Sequence, residues 1–272
     1  MAAPTPRLNP GSLADAVASG ADPAVVLAGE GSVFAAFIRQ DSGCRSYGVE
    51  DGAGRWFVKV SADAPGAVSM GRAQELHRSV AHSAIVPLVT SDTVGGAVVN
   101  VFPWVDGQVL YHPAEPDRGA AARERFLGLP VTERLDAVRR VCEAHLEVAA
   151  AGFVSVDLYD GCFLYDFERR RMWLVDLDEY RPGPFTLDAD RLPGSRRFMA
   201  PEEHRRGATL DERTMVFHLG RTIRVLLSDG DGRWAGPEGV AVVAARAATL
   251  DPGARFATVA GLLAALREAS SA

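Results

Sequence analysis

The amino-acid sequence predicts an α+β protein with a small antiparallel β-sheet lobe followed by a larger helical lobe. Short β-prone runs separated by turn-forming residues fill positions 33–60. A long apolar stripe at helical spacing follows at 132–151, and further helical stretches continue towards the C-terminus. The pattern changes after Asp106 and Gly107. We therefore expect three segments, namely an N-terminal lead-in (1–32), an N-lobe (33–103) and a C-lobe (104–272).

Composition restricts the classes of partner. The chain has 272 residues, 47% hydrophobic and 24% charged, which is enough for a sizeable core. A formal net charge of -6 leaves no broad positive field for a phosphate backbone, so we expect no nucleic-acid and no membrane partner. The apolar runs are too short to cross a bilayer, which predicts a cytoplasmic protein. The three cysteines lie far apart, which suits a reducing compartment and excludes zinc spacing.

The N-lobe is predicted as a five-stranded sheet with one helix. The first two dozen residues are rich in Ala, Pro and Gly, and we expect them to be loosely ordered. VFAAFIRQ, SYGVE and RWFVKV then predict an antiparallel meander, because DSGCR and DGAG between them form turns. A helix is predicted over about 69–81, and IVPLV and GAVVNVFPWV predict two more strands.

The C-lobe begins with the clearest helix of the chain, TERLDAVRRVCEAHLEVAAAG. Thr132 is its expected N-cap and Gly152 lies just past its end. CFLYDF and RMWLVDL predict a small hairpin. His145 and His218 are expected to be packed, hydrogen-bonded histidines, since no spacing supports zinc. Three further helices are predicted over 213–227, 240–250 and 259–269.

Three charged residues lie at the edges of apolar runs, where burial without a partner is expensive. Lys59 lies in WFVKV, Asp157 follows GFVSV, and Asp176 follows WLV. On its own, Lys59 is equally compatible with the solvent face of an edge strand. Together, one lysine and two aspartates indicate a site for an anion and a divalent cation.

The order of these segments resembles the protein-kinase fold from about Val33 to Leu266. WFVKV resembles the strand with the ATP-binding lysine, and VFPWVDG resembles the hinge segment. GFVSVDLYDGCFLYD is similar to the catalytic loop and WLVDLDEY to the magnesium-binding segment. GSRRFMAPEE resembles the end of a protein-kinase activation segment. The chain thus resembles a divergent actinobacterial Ser/Thr protein kinase-like protein, with a bilobal protein-kinase-like fold.

This resemblance implies ATP and Mg²⁺ as cofactors and assigns the charged residues. Lys59 would hold the α- and β-phosphates, Asp176 would bind Mg²⁺, and Asp157 would accept or orient the proton of the acceptor hydroxyl. Lys59 and Asp157 are therefore the predicted catalytic residues. Glu202 and Arg255 would form a buried ion pair that ties the activation segment to the helical lobe.

Further positions are assigned to the nucleotide. The resemblance puts Phe102 at the gatekeeper position, with Trp104 and Val105 facing the adenine. A phosphate-binding turn is predicted at DSGCRS, because free N–H groups and serine hydroxyls at a turn can reach phosphate oxygens. Its candidate ligands are Ser42, Gly43 and Ser46, and a plain hairpin turn is the alternative.

Several positions depart from the kinase pattern. Cys162 replaces the usual metal-binding asparagine, and a thiol is a poor ligand for Mg²⁺. Asp160 or Asp178 would then supply the second metal oxygen, although Asp160 also suits a turn before Gly161. Glu75 is the only acid of the first predicted helix, so it is either the partner of Lys59 or a solvated residue.

Three functions remain open on this basis. The first is an ATP- and Mg-dependent phosphotransferase of the Ser/Thr protein kinase type, favoured by GSRRFMAPEE and DPGARF. The second is a small-molecule kinase similar to aminoglycoside, fructosamine or choline kinases, suggested by Phe57 and Asp178. The third is a pseudokinase, suggested by Cys162 and by Val156 in place of an arginine. The partners are correspondingly ATP and a protein or small-molecule hydroxyl acceptor.

Overall fold

A computed structural model describes residues 5–38, 43–61, 63–112, 116–192 and 194–271. The chain divides into two compact units. The first consists of 1–79 and 86–106, and the second consists of 80–85 and 107–272.

The first unit contains a five-stranded antiparallel sheet in the order β1-β2-β3-β5-β4. The predicted meander and the five-stranded sheet are therefore confirmed, and β3 is the central strand. The elements of this unit are α1 (Pro10–Ala18), α2 (Pro23–Glu30), β1 (Ser32–Phe37), β2 (Arg45–Glu50), β3 (Arg55–Ser61), α3 (Ala64–Ser79), β4 (Thr90–Val94) and β5 (Ala97–Pro103).

The N-terminal segment is not a loosely ordered lead-in, which corrects that prediction. Each of its two helices begins with a proline at the first turn and a side-chain cap, Asn9 for α1 and Asp22 for α2. Leu13, Val17 and Leu27 are buried in one core with the sheet. Each large aliphatic side chain buried in this way stabilises the fold by roughly 1.5–3 kcal/mol. Packing therefore orders helices that are too short to be stable alone.

Asp51, in the β2–β3 turn, ties the chain before α1 to the sheet. Its carboxylate accepts hydrogen bonds from the main-chain N–H groups of Arg7, Leu8 and Ala53 and from the Trp56 indole. Burial disfavours the charge, but these bonds outweigh it and lower the pKa of Asp51. Removal of this carboxylate would therefore release both the turn and the N-terminal segment.

The run IVPLV does not form the predicted strand. The strand is β4, which pairs with β5 across a turn at Gly95 and Gly96, both with positive φ. Pro87 has no N–H for a ladder, which disfavours a strand over 85–89. Helix α3 also begins earlier than predicted, at Ala64.

The second unit is mainly helical and includes the predicted hairpin, formed by two strands joined to a third. Its elements are β6 (Gln108–Val109), α4 (Pro116–Leu127), α5 (Val131–Ala150), β7 (Phe153–Val154), β8 (Phe163–Asp166), β9 (Arg171–Leu174), β10 (Arg181–Pro182), β11 (Phe185–Thr186), β12 (Thr209–Leu210), α6 (Glu212–Leu227), α7 (Glu238–Ala247) and α8 (Val259–Ser271). Pro130 occupies the N-cap of α5, which corrects the prediction of Thr132, and no side chain caps it. Helix α4 was not predicted.

Helix α5 packs against α6 and α8 and forms the centre of this unit. His145 on its buried face is packed and hydrogen-bonded, as predicted. Nδ1 donates to the Val141 carbonyl at 2.7 Å, and Nε2 accepts from the Tyr180 hydroxyl at 2.8 Å. Burial lowers the pKa of His145 to about 4, so its ring is neutral. Among the described residues, no helix has the length and apolarity that a membrane crossing requires.

Candidate functional site

Both predicted aspartates of the second unit have left-handed backbone conformations. Asp157 follows β7 with φ of 58°, and Asp176 follows β9 with φ of 61°. Within the described ranges, Arg170 is the one other non-glycine residue with positive φ. Such conformations are unfavourable for side chains other than glycine, although aspartate tolerates them best, and they cluster at functional sites.

The electrostatic environment of Asp157 suits proton transfer. Burial, followed by the negative charges of Asp176 and Glu179, raises the pKa of Asp157 to about 7. A hydrogen bond from the Ser195 main chain and the nearby His218 act in the opposite direction. Asp176 itself is exposed. Asp157 can therefore both accept and return a proton near neutral pH.

Cys162 holds the loop that contains Asp157. Its thiol donates to the Asp157 carbonyl oxygen at 3.3 Å, and its main-chain N–H donates to the Tyr159 carbonyl at 2.9 Å. Its own carbonyl accepts from the N–H of Val175, the residue before Asp176, at 3.0 Å. Burial raises the pKa of Cys162 well above its usual range, so the thiol is uncharged. Position 162 thus connects the two aspartate segments through hydrogen bonds.

Tyr159 covers the same loop and was not anticipated from the sequence. A Cβ at Gly161 would lie 2.4–2.7 Å from the Tyr159 ring, so only glycine allows this close approach. Burial is the largest cause that raises the pKa of Tyr159, followed by Cys162 and Asp176. The phenol therefore stays protonated and can donate a hydrogen bond.

The three candidate metal ligands differ in their surroundings. Both carboxylate oxygens of Asp160 accept hydrogen bonds from Nη2 of Arg197, at 2.8 and 3.1 Å. Asp178 is buried, whereas Asp176 is exposed and offers hard oxygens. No group of three or more metal-ligating side chains occurs in the described part of the chain. Mg²⁺ usually binds one or two carboxylates plus waters and phosphates, so the residues present fit a nucleotide-bound magnesium ion at Asp176.

The predicted buried ion pair between Glu202 and Arg255 is confirmed. The guanidinium binds both carboxylate oxygens, at 2.6 and 3.0 Å, and Thr214 adds a hydroxyl donor at 2.9 Å. Burial opposes the negative charge, but these hydrogen bonds lower the pKa of Glu202 overall. The pair joins the 201–204 turn to the 252–255 turn and to α6.

A second buried network supports the strand end that precedes Asp157. Ser155 Oγ lies 2.9 Å from Nδ1 of His218, and Nε2 of the same ring lies 2.7 Å from Glu203. All three side chains are buried, so the serine cannot reach a substrate and the network has a positioning role. The prediction of a packed, hydrogen-bonded His218 is confirmed.

Lys59 lies in the interior of the first unit. It is 6% exposed on the central strand β3, so an edge-strand position is excluded. Its direct neighbours across the sheet are Ser46 on β2 and Asn100 on β5. Asn100 is held by Gln74 of α3, which donates to it at 2.8 Å, whereas Glu75 is exposed. The buried Ser46 hydroxyl makes no hydrogen bond within the described residues. A ligand oxygen at this position would satisfy the hydroxyl.

Aromatic rings line the same face of the sheet as Lys59. Phe57 lies two residues before Lys59, and its ring centroid is 6.4 Å from those of both Phe102 and Trp104. Phe34 packs edge-on against Trp104 at 4.8 Å. Phe34 is exposed, and the other rings and Val105 are only partly buried, so they offer an apolar platform next to the buried Lys59.

The predicted phosphate-binding turn is described only in part. Ser42 lies outside the described residues. Gly43 has a φ of 72°, which only glycine adopts without strain. Ser46 lies on β2 directly opposite Lys59.

The fold is that of a protein-kinase domain, as the sequence predicted. A crystal structure of the Mycobacterium tuberculosis PknI kinase domain is similar to this chain, with a TM-score of 0.61 and 19% sequence identity. The match covers 88% of this chain and 96% of that one. No protein-family model and no curated protein matches the sequence.

Proposed function

We propose that this chain is an ATP- and Mg²⁺-dependent phosphotransferase of the Ser/Thr protein kinase type, which transfers the γ-phosphoryl group to a hydroxyl. The observation that carries this proposal is the pair Asp157 and Asp176. Both have left-handed backbones, Cys162 links their segments, and one carboxyl has a pKa of about 7. Phosphoryl transfer depends on such positioned charges because little other covalent chemistry is left to the protein.

The two carboxylates would have different roles. Asp157 would orient the acceptor hydroxyl and take its proton, which its raised pKa favours at neutral pH. Asp176 would hold Mg²⁺ through its exposed carboxylate. Bound Mg²⁺ supplies positive charge that neutralises the phosphate oxygens. The hydrogen bonds of Cys162 would keep Asp157 in its strained position while the proton moves.

The first unit would contribute the nucleotide-binding residues. Lys59 would contact the α- and β-phosphates, and the Ser46 hydroxyl would bind a phosphate oxygen beside it. Gly43 and Ser42 would add further phosphate contacts, as the sequence predicts. The adenine would lie against Phe102, Trp104 and the backbone near Val105.

A second candidate function is nucleotide binding without transfer, which the chemistry of Cys162 favours. Its thiol is buried and bonded to the Asp157 main chain, so it offers no hard ligand for a second metal. A small-molecule hydroxyl acceptor is the third candidate. Nucleotide binding without transfer to a protein substrate, choline, a fructosamine or an aminoglycoside would favour the pseudokinase.

Nucleotide binding is the first test of the proposal. Titration calorimetry should detect ATP binding in the presence of Mg²⁺, and the ligand should raise the melting temperature. Asp176→Ala should remove the magnesium-dependent part of that rise. Asp136→Ala, which removes an exposed aspartate of α5, is the matched control and should leave it intact. Absence of binding at millimolar nucleotide would contradict both transfer and the pseudokinase alternative.

A further inference from the structure

The second unit contains a cavity that the catalytic roles proposed above leave without a ligand. Helix α4, the 230–231 turn and the segment that follows β6 line an open cavity of about 810 Å³, whose wall also includes Asp160 and Arg197. Leu110, Tyr111 and Leu127 contribute apolar surface to it. Its volume lies within the range of about 300–1,000 Å³ that is usual for ligand-binding pockets.

Arg197 is fixed in the wall of this cavity. Asp160 is 1% exposed and receives both of its hydrogen bonds from Nη2 of Arg197. The guanidinium also lies 5.1 Å from the Tyr111 ring centroid, and the Arg197 carbonyl accepts from Arg221 at 2.8 Å. Nε and Nη1 of Arg197 make no hydrogen bond to described residues, and the side chain is 48% exposed. A preorganised guanidinium thus retains free donors.

Arg123 adds a second positive charge to the same wall. It is half-buried on α4, and among the described residues it has neither a hydrogen bond nor an ion pair. It lies close enough to Asp160 to lower the pKa of that carboxyl, although burial raises it more strongly. Two arginines therefore surround one buried carboxylate, and the inner wall has one positive charge in excess.

The acidic residues of the cavity lie at its rim. Glu124 is exposed, and the side chain of Asp231 is 76% exposed and 3.7 Å from Arg233. Solvent screens charges in such positions far more than charges in the wall. An anionic group that enters the cavity would therefore meet the arginines as its strongest partners.

We propose that this cavity binds an acidic peptide as the phosphoryl acceptor. An Asp, Glu or phosphorylated side chain near the reacting residue would contact Arg123 and the free donors of Arg197. The inference rests on the proposed function, because it identifies the class of acceptor for the transfer at Asp157. A peptide segment fits the cavity better than a free acid, since several side chains can occupy its apolar surface as well.

The cavity lies beside the proposed catalytic aspartate. Two contacts join the 157–160 loop to the 195–197 segment. The Ser195 main chain hydrogen-bonds to Asp157, and Arg197 forms an ion pair with Asp160. Asp160 is three residues from Asp157, so their Cα atoms are at most about 11 Å apart. A hydroxyl at Asp157 and an acidic side chain in the cavity can therefore belong to one short peptide.

Fluorescence anisotropy without nucleotide tests the binding step. The probes are a labelled peptide with one serine between glutamates and the same peptide with lysines. The glutamate peptide should bind about tenfold more tightly or better, and Arg123→Gln should weaken it about tenfold. Arg125→Gln is the matched control, because it removes the same charge two residues away on α4, where Arg125 contacts Phe167 instead. It should change the affinity less than about twofold.

The outcomes separate this inference from the proposed function. Equal affinity for the two peptides would overturn the acidic-peptide site even if phosphoryl transfer occurs. Equal losses of affinity in Arg123→Gln and Arg125→Gln would overturn it as well. Competition by free phosphoserine at the same concentration as the peptide would also overturn it, because the occupant would then be a small anion. Arg123-dependent peptide binding without transfer would support an acidic-peptide site but contradict both the phosphotransferase and the role of the peptide as its acceptor.

Discussion

Two arginine–carboxylate pairs of the second unit differ in how far the arginine is exposed and hydrogen-bonded. In both pairs the carboxylate is buried, with Glu202 5% and Asp160 1% exposed. Arg255 is 0% exposed, and besides Glu202 it donates to three main-chain carbonyl oxygens, those of Thr249, Arg213 and Leu250. Arg197 is 48% exposed and donates from one nitrogen only.

This difference distinguishes a pair that stabilises the fold from a pair that can also bind a ligand. A pair whose donors are all satisfied can only stabilise the fold, whereas a pair with free donors at a cavity can also bind a ligand. The network of Ser155, His218 and Glu203 belongs with the first kind, because all of it is buried. Asp157 and Asp176 differ from that network, because their strained backbones are combined with access to solvent.

The largest expected effect is on catalysis at Asp157. Asp157→Asn should lower the rate of phosphoryl transfer on the order of 10² to 10⁴ fold, because a positioned acid–base group is lost. Nucleotide affinity and the melting temperature should stay close to those of the wild type. Single-turnover transfer, calorimetry and thermal unfolding measure the three quantities. Equal rates in both proteins would mean that the catalytic loop lies elsewhere.

The buried pair of Glu202 and Arg255 should affect stability rather than catalysis. Glu202→Gln should lower the free energy of unfolding by about 3–5 kcal/mol, because it leaves the Arg255 charge buried and unpaired. Arg267→Met is the matched control, since its ion pair with Glu143, at 2.7 Å, is largely exposed. Denaturant unfolding should show a loss below about 1 kcal/mol for that control. Similar losses in the two variants would remove the distinction between the pairs.

The buried histidine network should have a smaller effect on stability. His218→Phe removes two hydrogen bonds and leaves the Glu203 carboxyl with the Ala200 N–H as its remaining donor. We expect a loss of about 1–3 kcal/mol in the free energy of unfolding. Arg224→Gln, an exposed change on the same helix, should leave the unfolding midpoint in place. A His218→Phe variant as stable as the wild type would contradict the positioning role.

The smallest effect concerns pH. Asp157 must be ionised to take a proton, so kcat/KM should rise with pH through about 7. Glu179→Gln removes a negative charge that raises the pKa of Asp157, so the midpoint should move to lower pH by less than about one unit. Glu168→Gln, an exposed change in the β8–β9 turn, should leave the midpoint in place. An upward shift in Glu179→Gln would contradict the assignment.

Strand periodicity and the position of charges indicated three residues of the candidate site. Lys59, Asp157 and Asp176 each adjoin an apolar run, and burial of such runs forces a specific environment on the charge. Helices α1 and α2 were not predicted, because packing on the sheet rather than composition stabilises them. Contacts between segments far apart in the sequence could not be predicted from the local pattern of residues.

The Asp160–Arg197 pair illustrates this limit of local pattern. Its partners are 37 residues apart, and neither lies in a periodic run that would indicate the other. A glycine two residues after an aromatic residue was the available signal for Tyr159, because Gly161 has to make room for the ring. Glu179 affects Asp157 only after the β8–β9 hairpin has brought the two segments together.

Transfer of the γ-phosphoryl group from labelled ATP tests the central claim most directly. The wild-type protein, with Mg²⁺ and the glutamate-flanked serine peptide, should incorporate label into the peptide, and chelation of the metal should stop it. Asp157→Asn and Asp176→Ala should both lose incorporation, whereas Asp136→Ala should retain it. Absence of label in every protein and peptide acceptor, despite measurable ATP binding, would contradict a phosphotransferase of the protein-kinase type.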